Sequence, residues 1–214
     1  MNEDENLRVH YLELMGISVW QQSLVTPFIE VEPSAQDLQT RVMTCSQCQL
    51  ATTRQQVIWG EGNLHADWFI VFDFPTAHED EQGKILVGNE GLLIDEILRA
   101  LKLSRDAVFM THLVKCLPFS ALPTGDEMSK CYEHLQQQIV LVQPKLLFVL
   151  GELAAQTLLK STDSLTQLRG KVYDYSNIPV IVSFSPTHLL SDCLAKRAVW
   201  NDLQLALKTL SKKE

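Results

Sequence analysis

The sequence predicts an α/β protein, a three-layer α-β-α sandwich on a mostly parallel central sheet. Three observations carry that prediction. Apolar runs of strand length recur at W-F-I-V-F (68–72), A-V-F-M-T-H-L (107–113), L-L-F-V-L-G (146–151) and P-V-I-V-S-F (179–184). Segments of helical period separate them. The runs are apolar without alternation, which a strand requires only when helices cover both faces of its sheet.

Each element follows in turn. Leu7, Tyr11, Leu12 and Met15 are apolar at helical spacing, Gly16 is placed to end that helix, and Ile17 and Trp20 follow it. T-P-F-I-E-V-E-P (26–33), bracketed by Pro27 and Pro33, reads as an extended acidic linker. A helix from Ala35 to Met43 leads into a cysteine pair, and G-L-L-I-D-E-I-L-R-A-L (91–101) has an amphipathic helical pattern. Further helices are predicted at Glu127–Val142, 152–159 and Leu194–Leu210. The expected organisation is an amino-terminal peptide at 1–24, a linker and lead-in helix at 25–40, and a globular domain at 41–214. In such folds ligands bind at the carboxyl ends of the strands. Here those ends carry F-D-F-P-T (72–76), T-H-L-V-K-C (111–116), L-G-E (150–152) and F-S-P-T-H (184–188).

Composition narrows the function classes. A content of 46% hydrophobic and 21% charged residues is that of an ordinary globular chain. No segment approaches the roughly 18 uninterrupted apolar residues of a membrane span. The opening M-N-E-D-E-N-L-R-V-H lacks the basic-then-apolar order of a secretory signal, so a cytoplasmic location is expected. Net charge is −8, and Lys208, Lys212 and Lys213 form the densest basic run. Proteins that grip a phosphate backbone usually present a basic patch, so direct nucleic-acid binding is expected to be weak or absent.

Cysteine usage is more specific. Cys45 and Cys48 make a C-x-x-C pair, Cys116 follows a predicted strand, and Cys131 lies on the next helix. Four thiolates in this arrangement suit structural zinc or an iron–sulfur cluster, and spacing does not choose between them. Burial of Cys116 and Cys131 as small hydrophobes is an equal alternative. Cys193 has no evident partner and reads as a free thiol.

C-S-Q-C-Q-L-A-T-T-R-Q-Q-V-I-W-G-E-G-N (45–63) resembles the opening of the family 4 uracil-DNA glycosylases, which carry a 4Fe–4S cluster. The resemblance continues through E-D-E-Q-G (79–83), V-G-N-E-G-L-L-I-D (87–95), V-K-C-L-P (114–118), Q-P-K-L-L-F-V-L-G-E-L-A-A-Q-T-L-L (143–159), L-R-G-K (168–171) and A-V-W-N-D-L (198–203). It spans about residues 41–210. It implies a glycosylase-like fold and a 4Fe–4S cluster on Cys45, Cys48, Cys116 and Cys131, with zinc as the alternative.

The departures fall in the pocket. The family's G-E-x-P-G is Phe72-Asp73-Phe74-Pro75-Thr76 here, which implies that side chains occupy space meant for a base. Leu86 takes the place of the aromatic residue that stacks on uracil. His112 replaces an asparagine that reads the uracil edge, and Ser185 replaces the histidine of an H-P motif. A flipped base must be stacked and hydrogen-bonded to offset its unstacking cost. The expectation is therefore a pseudo-enzyme with no catalytic residues, Asp73 and His188 being the candidates to take over those tasks.

Y-L-E-L-M-G-I-S-V-W (11–20) in turn resembles the amino-terminal peptide of the psi subunit of bacterial DNA polymerase III. That resemblance implies a long, cluster-bearing psi-type subunit. Tyr11, Leu12, Met15, Ile17 and Trp20 would bind the collar of the clamp-loader ATPase (tau/gamma), and the globular part would bind chi, an indirect link to single-stranded-DNA-binding protein. The alternative is an iron–sulfur uracil-DNA glycosylase with altered or residual base-excision activity.

Overall fold

The computed structural model of the chain describes His10, Tyr11, Leu14, Met15 and residues 34–212. The chain divides into two compact units, Met1–Glu32 and Pro33–Glu214. In the first, Tyr11, Leu14 and Met15 are exposed. Leu12, Ile17 and Trp20 lie outside the described residues.

The second unit is built on a six-stranded sheet of order β1-β3-β2-β4-β6-β5. Its strands are β1 (Glu61–Gly62), β2 (Trp68–Phe72), β3 (Val108–His112), β4 (Leu146–Leu150), β5 (Val172–Tyr175) and β6 (Ile178–Ser183). The four inner strands are parallel, and β1 and β5 close the two edges antiparallel. The helices are α1 (Ala35–Met43), α2 (Ala77–Gln82), α3 (Gly88–Ala100), α4 (Gly125–Val142), α5 (Glu152–Leu159), α6 (Leu165–Leu168), α7 (Pro186–Ser191) and α8 (Ala195–Leu210).

Alternation of side chains along the parallel strands divides the core between the two faces of the sheet. Phe69, Val71, Phe109, Leu147, Val149 and Val180 face one layer, where Leu38 and Val42 of α1 and Leu135 and Ile139 of α4 cover them. Trp68, Ile70, Phe72, Met110 and Phe148 face the other, under Ile94 and Leu98 of α3 and Val199 and Leu203 of α8. The result is the expected three-layer sandwich. Every residue of β2, β3 and β4 is buried, which accounts for their unbroken apolar runs. The four inner strands end in register, Phe72 beside His112 and Leu150, and Leu150 beside Ser183. The segments leaving these strands therefore emerge together on one edge.

Caps fix the helices that approach this edge. Thr76 and Glu79 form a reciprocal capping box at the start of α2, and Thr124 and Glu127 form another on α4. On the far side of the sheet, Asp202 of α8 accepts from Arg169 Nε (2.9 Å) and Nη2 (2.6 Å) and from Ser183 Oγ (2.5 Å). That buried network ties the last helix to β6. Among the described residues no helix is long and apolar enough to cross a membrane.

Candidate active site and cysteine cavity

The in-register strand ends open into a cleft of about 810 Å³, within the range of small-molecule sites. Asp73, Leu86, His112 and Ser185, far apart in sequence, all line it. Phe72 is buried in the core and Phe74 is partly buried. The cleft that both line remains open.

Asp73 follows β2 directly and meets the start of α5. Its Oδ1 accepts from the amide of Ala154 at 2.8 Å. Gly151 makes that approach possible, because a Cβ there would collide with the Asp73 carboxylate and its φ of +141° suits glycine. Burial raises the Asp73 carboxyl to about 6, against the opposing pull of the α5 amides and with a smaller push from neighbouring Glu152. At neutral pH its carboxylate form predominates.

A buried carboxylate–histidine contact lies behind it. Glu79 Oε1 stands 3.2 Å from His112 Nε2 and accepts from the amide of Leu86 at 2.5 Å. Glu79 Oε2 accepts from the amide and hydroxyl of Thr76 at 2.7 and 3.0 Å. Burial pushes the Glu79 carboxyl up, but the hydrogen bond and charge of His112, with the amides of Thr76 and Leu86, hold it at about 2. These contacts also explain Leu86, a non-glycine residue at φ 54°: Glu79 takes its amide, and Arg105 Nη2 donates to its carbonyl at 3.2 Å. Glu79 lies within the E-D-E-Q-G match but carries no recognisable signal of its own, since its partner is 33 residues away.

The other two strand-end residues are engaged differently. Ser185 caps α7, its hydroxyl accepting from the amide of His188 at 3.3 Å. His188 stacks on Phe184 with ring centroids 4.6 Å apart, and Arg169 lies over the same Phe184 ring, 4.0 Å from its centroid. His188 is thus occupied outside the cleft lining.

A separate cavity is lined by Cys45, Cys48, Cys116 and Cys131 together. None of these four, nor the exposed Cys193, is in a disulfide. Donors surround the sulfurs: Arg54 Nη1 reaches Cys116 Sγ at 3.2 Å, the amide of Lys115 reaches Cys131 Sγ at 3.2 Å, and His134 Nε2 lies 3.3 Å from Cys45 Sγ. Burial raises the Cys116 and Cys131 thiols, Cys131 to about 11, with Arg54 opposing at Cys116 and Lys115 opposing at Cys131. Lys115 Nζ is enclosed, donating to Thr111 Oγ1 (2.6 Å), His112 O (2.5 Å) and Gln138 Oε1 (2.6 Å). Among the described residues no group of three or more His, Cys, Asp or Glu side chains is arranged to hold a single metal ion. In the sequence, His134 is marked only by its place three positions past Cys131, on the same helix face.

A parallel α/β sheet whose strand ends frame an open cleft lined by Asp73, Glu90, Glu152 and His112 defines a ligand-binding class. Residues 59–204 match the Uracil DNA glycosylase superfamily. A type-4 uracil-DNA glycosylase of Thermotoga maritima is 34% identical over 179 residues, covering 81% of this chain and 93% of the relative. A type-4 enzyme of Archaeoglobus fulgidus is 31% identical over 166 residues, 73% of this chain and 83% of its own length. One from Pyrobaculum aerophilum is 32% identical over 174 residues, covering 79% and 89%. The chain belongs to the uracil-DNA glycosylase superfamily, and these relatives place it beside the type-4 branch.

These findings overturn the expectation of a psi-type replisome subunit. The clamp-loader collar, chi and single-stranded-DNA-binding protein drop out as partners, and the pseudo-enzyme reading falls with them. So does the expectation of weak or absent nucleic-acid binding, since the relatives are named as enzymes of DNA. The psi reading weighs ten residues, 11–20, above a match running through the whole globular domain. It also equates changed side chains with a lost pocket.

Proposed function

We propose that this protein is a DNA glycosylase that hydrolyses the N-glycosidic bond of uracil in DNA and carries a 4Fe–4S cluster on Cys45, Cys48, Cys116 and Cys131. The observation that carries the reading is the cleft. It gathers Asp73 and His112, the latter backed by Glu79, at the strand ends of a chain related to type-4 enzymes along most of its length.

The reaction asks three things of the site. An extruded base must be enclosed and held, the bond from C1′ to N1 must break with its electrons leaving on the base, and a water must add to C1′. The apolar walls, Phe72 and Leu86 among them, supply enclosure. Asp73 sits where it can accept the water's proton, and its carboxylate also faces the positive charge that develops on the sugar. Buried hydrogen-bond donors aimed at the departing base lower the barrier by stabilising the charge it gains.

The donor set of the second cavity fits an iron–sulfur cluster. Four thiolates spread around a cavity suit several metal atoms better than one zinc ion, whose sulfurs must all lie about 2.3 Å from a single point. The flanking N–H donors would disperse the cluster's negative charge. When bound, such a cluster cross-links the loop at 45–48 to the segment after β3 and to α4.

The test is excision from single- and double-stranded oligonucleotides carrying one uracil, read as alkali-labile strand breaks, with anaerobically purified protein. Release of uracil supports the reading. Intact oligonucleotides with folded, iron-loaded protein refute it.

A further inference from the structure

The loop between β3 and α4 carries an apolar tip that the fold leaves uncovered. Its sequence is L-P-F-S-A-L-P (117–123). Phe119 is 87% exposed and Leu122 59%, and both line the cleft. Pro118 and Pro123 are buried on either side of the tip, and Ser120 Oγ donates to the Leu122 carbonyl at 2.7 Å. Cys116 of the cysteine cavity precedes the loop, and the Thr124–Glu127 capping box follows it. An aromatic ring is thus held at the rim of the cleft on a turn anchored at both ends.

One exposed apolar side chain on a surface needs no explanation. Here two project from a single turn beside the cleft, and the charges on the same wall select their occupant. Among the described residues lining the cleft, Asp73, Glu90 and Glu152 are acidic and none is lysine or arginine. The whole chain carries a net charge of −8. A phosphate group finds no counter-charge on this wall. The face of a nucleobase is uncharged, and any base gains by stacking on an aromatic ring, whatever its identity.

We propose that Phe119, flanked by Leu122, is a stacking platform for the unpaired base beside the extruded nucleotide, which makes single-stranded DNA the favoured substrate. The proposal rests on the glycosylase reading. Extruding a nucleotide strips its neighbour of one stacking partner, and the ring at the cleft mouth replaces that partner. In a single strand the neighbour turns freely onto the ring. In a duplex it stays paired with the opposite strand, and the ring reaches it only after further opening. The contact releases no counter-ions from the backbone, so its contribution does not depend on salt.

The test uses the full chain and a labelled single-stranded oligonucleotide with one uracil on a 2′-fluoro sugar, which resists cleavage, read by fluorescence anisotropy. F119A should weaken binding roughly 5–150-fold, equally at low and high salt, and F119W should retain it. Melting curves establish that both variants are folded. With ordinary uracil substrates, the parent should excise faster from single-stranded than from duplex DNA, and F119A should narrow that gap. A folded F119A that binds within about twofold of the parent overturns the proposal. So does a loss that vanishes at high salt, or a parent that prefers duplex. A change of oligomeric state in F119A with DNA affinity unaltered would assign the surface to a second copy of the chain and overturn it as well. If the parent excises nothing yet F119A weakens binding, the glycosylase reading fails and the platform stands. If the parent excises and F119A binds as tightly, the platform alone fails.

Discussion

Replacing Asp73 by asparagine separates the stability and the chemistry of this site. In the fold the Asp73 carboxyl rises from 3.8 to about 6, chiefly through burial. The folded chain therefore holds that proton more tightly than the unfolded chain does. Stability falls as pH climbs from 3.8 to about 6, and the loss is complete above it. The shift corresponds to a cost of at most about 3 kcal/mol at neutral pH. Asp73 is not fully buried, so solvent screening brings the working figure to roughly 2 kcal/mol. The neutral amide of D73N mimics the protonated side chain and escapes that cost. D73N should melt about 4–8 °C above the parent at pH 8, with the gap closing towards pH 4. Excision should fall by roughly 10²–10⁴ in the same variant, while the parent's rate should decline on acidification through about pH 6. Thermal melts at pH 4 and 8 and single-turnover rates across pH provide the assay. A variant less stable than the parent at pH 8, or a melting difference independent of pH, would refute the reasoning.

Other perturbations have equally definite outcomes. G151A places a methyl group into the Asp73 carboxylate and into an unfavourable φ; excision should drop at least about tenfold with a melting loss of roughly 1–3 kcal/mol, checked by rate and calorimetry. E79Q removes the charge that His112 and three donors from Thr76 and Leu86 hold at about 2. That charge stabilises the fold above pH 4.5 and ceases to do so as pH falls towards 2. The variant should be less stable by about 3 kcal/mol at pH 7, with the deficit shrinking below pH 4.5 in denaturant titrations. C131S should abolish iron incorporation and its visible absorption while C193S leaves both unchanged, measured by metal analysis and spectroscopy.

The inner sheet is legible in the sequence because a parallel strand buried on both faces has no choice of residue type. β2, β3 and β4 announce themselves as apolar runs. The edges do not: β1 is two exposed residues and β5, V-Y-D-Y, alternates between exposed and partly buried side chains. In the site, the cysteines and the four cleft positions can be placed by pattern, and the structure brings each set together. What pattern does not supply is pairing across the chain. Glu79 with His112, Asp73 with Ala154 and His134 with Cys45 join residues 33, 81 and 89 positions apart. The psi error has the same root, because it judges substitutions at Phe72, Leu86 and Ser185 singly, without the geometry that keeps the cleft open.

The strand order carries a consequence for how the chain folds as it is made. β2, at the centre of the sheet, is also the first of the parallel strands to emerge; β3 adds on one side, then β4 and β6 on the other. The sheet can thus grow outward from its middle without waiting to insert a strand between two already paired. The layer over Trp68, Ile70 and Phe148 is different, because Val199 and Leu203 arrive only in the last helix. Until α8 has been made, that apolar face lacks part of its cover, and the nascent chain stays open to aggregation and chaperone capture.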